Sequence, residues 1–303
     1  MTKGLRLIAP GKINWSLEVL RFRPDGYHEL RSVMQTIDLH DVVTLTLADT
    51  DAITLEIIGD AGMLADNPPE ANLAVRAAVA LRDRAGVRDR GAHIVLEKHV
   101  PVAGGLGGGS SDAAAVLRGL NVLWDAGQPE ANLIEIAGEV GSDPPFFVVG
   151  GTAMVSGRGD YVDALPDAVA SSMLLATPPQ NERGEKTAMM FGALTPHDFQ
   201  EGDVTIGVRE TVEAGRMIVD DELANVFERV TAKMQPQTEL AMEALRADGY
   251  VPHLCGAGPS FFLLYGGGAD LAHELGARIH GLGFESRPVH ALSRERALVM
   301  RAL

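Results

Sequence analysis

Apolar and polar residues alternate from Ile13 to Val19: Ile13, Trp15, Leu17 and Val19 take one set of positions, Asn14, Ser16 and Glu18 the other. A period of two predicts a half-buried strand. Residues 41–48 and 53–58 read the same way, and residues 49–52 between them predict a hairpin turn. At 72–84 the period lengthens. Leu73, Ala77 and Leu81 recur at helical spacing behind Asn72, whose side-chain oxygen suits an N-cap. Residues 92–97 read as another strand. A glycine loop then runs into a helix, from 101 to 124, with Ala113, Leu117, Leu120 and Trp124 on one face. Residues 129–140 predict a further helix, and 141–151 a turn leading into a short apolar strand. The stretch 178–215 scatters Pro, Gly, Asn and charge, and predicts a loop with one short helix near 187–191. Helix 239–248, strand 260–265, helix 270–282 and strand 287–292 follow. Their order suggests an α+β sandwich of the split βαβ kind, with a domain boundary between 155 and 170.

Composition narrows the chemistry. The chain has 303 residues, 46% of them hydrophobic, enough for one large domain or two moderate ones. Its formal charge of −15 argues against nucleic acid, whose binding needs clustered Lys and Arg. An anionic ligand would have to be held by local donors: backbone N–H groups, a helix N-terminus, one or two lysines and a divalent cation. The single cysteine, Cys255, rules out an intramolecular disulfide and points to a reducing, cytoplasmic setting. No apolar run is long enough to span a bilayer, so no membrane partner is expected.

Five of the 34 glycines, Gly104, Gly105, Gly107, Gly108 and Gly109, fall within six residues, ahead of Ser110 and Ser111. Without Cβ atoms a backbone curls so that several N–H groups face one concavity, and the following helix adds its own free N–H groups. Those are the requirements for holding a triphosphate. No Lys follows the last glycine, so the loop is not a P-loop, and Ser110 stands where the dinucleotide fingerprint needs glycine. Ser110 and Ser111 suit a helix cap, a phosphate contact or a Mg²⁺ ligand.

Residues 101–115 (PVAGGLGGGSSDAAA) resemble the second motif of the GHMP kinases. Residues 10–14 (PGKIN) resemble their first motif and 256–260 (GAGPS) their third. The similarity runs from about residue 7 to 300. Residues 25–30 (DGYHEL) and 141–147 (GSDPPFF) resemble the branch that phosphorylates a methylerythritol unit linked to cytidine diphosphate. The resemblance implies a two-domain fold: an N-terminal ATP-binding domain like ribosomal protein S5 over 1–160, and a ferredoxin-like substrate-side domain over 161–303.

By the same resemblance Asp143 and Lys12 are catalytic, with ATP and Mg²⁺ as cofactors. Pro101, Val102, Ala103, Gly104, Gly105, Leu106, Gly107, Gly108, Gly109, Ser110 and Ser111 hold phosphate, and Asn72 and Lys98 lie near the adenine. Asn14, Tyr27, His28 and Phe191 face the cytidine substrate. A lysine at 12 can pair with Asp143 or neutralise the γ-phosphate. A homoserine- or mevalonate-type kinase, or a non-catalytic nucleotide sensor on the same fold, are the alternatives. The segment 25–30 argues against the first, because those enzymes hold no cytidine. The presence of both Lys12 and Asp143 argues against the second.

Overall fold

A computed structural model describes residues 3–59, 68–179 and 186–303. The first part of the chain forms β1 (Gly4–Phe22), β2 (His28–Leu47), β3 (Ile53–Gly59), α1 (Leu73–Ala85), β4 (Ala92–Lys98), α2 (Gly108–Leu123), α3 (Glu130–Val140), α4 (Pro144–Val149), β5 (Thr152–Gly157) and β6 (Tyr161–Ala164). Then come β7 (Val169–Ala170), β8 (Ser172–Thr177), α5 (Lys186–Ala193), α6 (Asp203–Glu213), β9 (Met217–Ile218), β10 (Ala224–Asn225), α7 (Glu228–Met234) and α8 (Pro236–Ala247). The last elements are β11 (Pro252–Leu254), β12 (Phe261–Tyr265), α9 (Ala269–Gly281), β13 (Glu285–Val289), α10 (Arg294–Ala297) and β14 (Met300–Ala302).

A mixed sheet in the order β10-β1-β2-β4-β3 carries β14 on β1, β5 on β2 and β6 on β5. Its spine is the long antiparallel ladder of β1 and β2. On one face Leu5, Leu7, Val43, Leu45, Ile94 and Leu96 pack against the alanine-rich sides of α1 and α2. Small residues let α2 approach closely: a Cβ at Gly119 would lie 2.4 Å from Leu45 Cδ1. Each leucine buried there stabilises by roughly 1.5–3 kcal/mol. The second sheet, in the order β11-β12-β8-β13, is wholly antiparallel and has the split βαβ connectivity that its sequence predicts. A third cluster, with Trp15, Ile37, Leu106, Met173, Phe262 and Val289, joins the two sheets.

Four expectations need correction. Residues 49–52 do not close a hairpin, because β4 lies between β2 and β3, antiparallel to one and parallel to the other. The fully buried Ile94 and Leu96 claim that central place, while β3 keeps to the half-exposed edge. The strand read at 41–48 is the end of a 20-residue strand whose earlier part has no clean alternation, since both of its faces are covered. Residues 144–149 form a helix, not a strand: Pro144 and Pro145 suit a first helical turn, and all six side chains are buried. Within the stretch read as a loop, α6 forms, because Thr205, Val208 and Val212 line a buried stripe despite Gly207. The polar run 180–185 lies outside the described residues. No described helix is long and apolar enough to cross a membrane.

Candidate active site

Lys12 sits beside a register shift in the β1–β2 ladder, between Pro10 and Lys12. Such irregularities re-aim a side chain out of the regular pleat. Lys12 is 3% exposed, its N–H donates to the Leu106 carbonyl at 2.8 Å, and its Nζ donates to Asn14 Oδ1 at 2.9 Å. Asn14 Nδ2 in turn donates to Ser32 Oγ at 2.8 Å. The alternating run was expected to turn its polar residues to solvent, yet Lys12, Asn14, Ser16 and Glu18 are all buried. Ser16 and Glu18 accept the main-chain N–H groups of Val33 and Thr205, while Lys12 and Asn14 meet beside the glycine loop, and a buried cation held by neutral groups is poised for an anion. No ion pair joins Lys12 to Asp143 among the described residues.

The glycine loop folds over this lysine. Ala103, Gly105 and Gly107 take positive φ, and α2 begins at Gly108, so part of the glycine run is the helix's first turn. The third motif packs against it. The Cys255–Ser260 turn approaches so closely that a Cβ at Gly105 would lie 2.0 Å from the Cys255 carbonyl oxygen. A Cβ at Gly256 would lie 2.6 Å from Lys12 Nζ, and one at Gly107 would meet the Phe147 ring at 2.8 Å and Lys12 Cγ at 3.2 Å. Three sequence motifs far apart in the chain therefore meet at Lys12. Ser111 Oγ and Ser260 Oγ are buried there without a hydrogen-bond partner. Gly105→Ala should cost about 1–3 kcal/mol through strain at positive φ, and should raise the Kd for ATP; unchanged thermal unfolding and unchanged ATP titration would show that the loop tolerates a side chain.

Behind the loop lies a buried ionic cluster. Lys98 Nζ donates to Asp112 Oδ2 at 2.6 Å and also to Asp41 Oδ2. Asp41 Oδ1 accepts the N–H groups of His99 and Val100, the latter at 2.8 Å, and so fixes the backbone that enters the loop. Burial pushes the Asp112 carboxyl up to about 7 against the pull of Lys98. Lys98 titrates above its usual range: Asp112 and Asp41 outweigh the burial that acts in the other direction. The Lys98 ammonium is thus committed beneath the loop, and any contact with adenine would come from its main chain. Asn72 caps α1, its Oδ1 accepting from Ala74 N at 2.9 Å.

Asp143 stands at the N-cap of α4 but makes no cap hydrogen bond, so its carboxylate is left for other work. Phe147, one helical turn on, is the side chain that meets Gly107. The turn before Asp143 is backed by Gly159, where a Cβ would lie 2.7 Å from the Ser142 carbonyl oxygen. Next to it the Arg158 guanidinium lies over the Tyr27 ring, 5.3 Å from its centroid. Tyr27 is 49% exposed and belongs to the tight 23–27 turn, closed by Arg23 N–H donating to the Tyr27 carbonyl at 2.8 Å.

His28 opens β2 opposite Phe22, with ring centroids 4.4 Å apart. Phe191 approaches the same imidazole at 5.1 Å, and Phe199 at 6.1 Å. The structure therefore brings His28 and Phe191 together. Burial lowers the His28 pKa and favours the neutral ring. Its Nε2 is buried without a partner, an open hydrogen-bonding position among aromatic faces.

Several supports come from elsewhere in the chain. Asn225 Nδ2 donates to the carbonyls of Leu254 at 2.9 Å and Gly256 at 2.8 Å, and Gln235 Nε2 to that of Ala257 at 2.8 Å. These two amides hold the third-motif turn over Lys12. Phe22, Phe199 and Arg158 complete the pocket around Tyr27 and His28. Only Phe22 had a signal, as the last apolar residue before the 23–27 turn.

Residues 72–151 match the family described as GHMP kinases N terminal domain. Over 261 residues the chain is 38% identical to the 4-diphosphocytidyl-2-C-methyl-D-erythritol kinase of Dehalococcoides mccartyi, covering 86% of this chain and 89% of that one. The enzyme of the same name from Pelotomaculum thermopropionicum is 40% identical over 276 residues, covering 89% and 92%. A crystal structure of 4-(cytidine 5'-diphospho)-2C-methyl-D-erythritol kinase superposes with a TM-score of 0.72 at 28% identity, over 95% of this chain and all of that one. Homoserine kinase from Cytophaga hutchinsonii, at 16% identity and a TM-score of 0.74, shares the fold. With two relatives at this level along most of its length, and with the GHMP kinase fold in place, the chain belongs to the 4-diphosphocytidyl-2-C-methyl-D-erythritol kinase family of small-molecule kinases.

Proposed function

We propose that the protein transfers the γ-phosphoryl group of ATP to the 2-hydroxyl of 4-(cytidine 5'-diphospho)-2-C-methyl-D-erythritol, a step of non-mevalonate isoprenoid precursor synthesis. The observation that carries this reading is the meeting of three motifs at one buried lysine, with the open His28 Nε2 in an aromatic pocket farther along the same β1–β2 ladder. Phosphoryl transfer needs positioning and charge neutralisation more than covalent chemistry. Main-chain N–H groups of the 104–111 loop wrap the phosphates, and Lys12 neutralises charge on the transferred group. Asp143 receives the substrate hydroxyl and orients it or takes its proton. Tyr27, His28 and Phe191 grip cytosine, the imidazole through the base edge and the rings by stacking. Asn14 holds Lys12 and borders the substrate.

Mg²⁺ fits the residues present. Among the described residues no group of three His, Cys, Asp or Glu side chains gathers to hold a metal. That suits an ion that takes most of its oxygens from nucleotide phosphates and water. Ser111 Oγ, buried and unpartnered, and the Asp143 carboxylate are the side-chain oxygens that would hold it. When bound, the ion screens charge on the phosphates. On this reading residues 1–160 form the ATP-binding domain and 161–303 the substrate-side domain.

The test is a direct assay. ATP should be consumed with the cytidine diphosphate substrate and not with mevalonate or homoserine; the reverse pattern would overturn the assignment. His28→Ala should raise KM for the cytidine substrate by about 10-fold, the worth of one hydrogen bond to a buried base, and leave KM for ATP nearly unchanged. Equal effects on both constants would remove His28 from the cytosine site.

A further inference from the structure

Away from the site just described, the face of the larger sheet opposite α1 and α2 carries a second cleft of about 540 Å³, within the usual size for a small-molecule site. Arg6, Arg296, Arg301 and His40 line it over an apolar floor that includes Ile8 and Val42. Arg6 and Arg301 are direct partners across the β1–β14 ladder. Like charges placed opposite one another in a sheet are destabilising unless something anionic lies between them. Glu97 answers Arg6 at 3.2 Å, while no ion pair engages Arg296 or Arg301 among the described residues. The lining carboxylate, Asp38, is already bound to the His290 N–H at 2.8 Å and to its ring at 3.1 Å. An adjoining cleft of about 340 Å³ shares Asp38, His40 and Val42 and adds Arg287 and His99. In a chain with 41 acidic and 26 basic residues, such a concentration of cations needs a local cause.

We propose that this cleft binds an amphipathic phosphate ester, its phosphate or diphosphate head on Arg6, Arg296 and Arg301 and its hydrocarbon body on the Ile8–Val42 floor. Arginine forks suit phosphate oxygens in pairs. The apolar floor excludes a purely polar ion as the preferred ligand. Concavity favours a single small molecule over a membrane, which would need a convex apolar surface to enter.

Calorimetric titration of the full chain with monomeric dodecyl phosphate tests the site. ATP analogue and cytidine diphosphate are kept saturating so that the kinase site is blocked. Saturable binding is expected, about 10-fold tighter than that of inorganic pyrophosphate, and weakening with salt. Arg296→Ala with Arg301→Ala should weaken it at least about 10-fold, with unfolding and kinase kinetics unchanged. Arg296→Glu alone, an exposed change that spares the ladder, should weaken it in the same direction. Absence of binding, binding indifferent to both variants, or binding lost when the nucleotide site is filled would each overturn the proposal. So would binding to phosphatidylglycerol vesicles with none to the monomeric probe.

Discussion

Asp143→Ala should lower kcat by at least about 10²-fold while leaving the Kd for ATP nearly unchanged. The expectation rests on position. Asp143 stands where a helix cap would, yet its carboxylate makes no cap hydrogen bond. Pro144 and Pro145 lack N–H groups, so the first turn of α4 offers it little to bind, and the side chain is left for a ligand. The glycine loop, proposed to hold the nucleotide phosphates, is fixed by other contacts, above all Leu106 with Lys12 and Gly105 with Cys255. Removing the carboxylate should therefore disturb chemistry and not nucleotide binding. Asp143→Asn separates two roles: it keeps much of the activity if the group only orients the alcohol, and little if charge is needed. Single-turnover measurements with both nucleotide and cytidine substrate bound would read the step directly. Normal turnover in Asp143→Ala would take the residue out of the mechanism.

Lys98→Met should destabilise the fold by about 3–5 kcal/mol, because it strands two carboxylates in the interior. Asp41 is fully buried, Asp112 is 1% exposed, and both rely on the same ammonium. A second change, Asp112→Asn on the Lys98→Met background, should recover part of the loss, since one fewer charge then remains uncompensated. Urea unfolding of the single and double variants gives both numbers. The cluster also reaches the site: Asp41 binds the N–H groups of His99 and Val100, which lead directly into Pro101 and the glycine loop. ATP affinity should fall along with stability. A loss below about 1 kcal/mol, the range of an exposed pair, would mean that the cluster is solvated or replaceable.

The glycine loop stood out in the sequence by residue type alone, whereas Lys12, Asp143 and His28 were singled out by the resemblance of short segments to family motifs. Positive φ at Gly105 and Gly107 is a local physical reason for glycine there. What connects them was not legible. The resemblance sets Lys98 near the adenine and says nothing of its ion pairs, which appear only when Asp41 and Asp112, from two other elements, are brought to it. Asn225 falls in a segment, 225–228, that resembles a family motif, but its contact with a turn some thirty residues later is not written in that segment. The alternation at 13–19 was read correctly as a strand but wrongly as half-solvated, because period two tells which residues share a face and not what covers it. The 49–52 turn failed for a related reason. Local pattern identifies β2 and β3, and only the long-range pairing of β4 with both reveals that they are not neighbours. The helix at 144–149 was missed because six apolar residues carry no period.

The ladder between residues 5–7 and 300–302 has a consequence for how the protein comes into being. These partners are separated by almost three hundred residues, so β1 leaves the ribosome long before its outer neighbour exists. Until then one margin of the first strand stays open, a template for pairing with other nascent chains. A fragment cut near residue 160 would keep that margin permanently, with Ser16 and Leu17 also deprived of their partners in β10. The first strand is thus completed only when residues 224–225 and 300–302 are in place, so the two parts of the chain mature together.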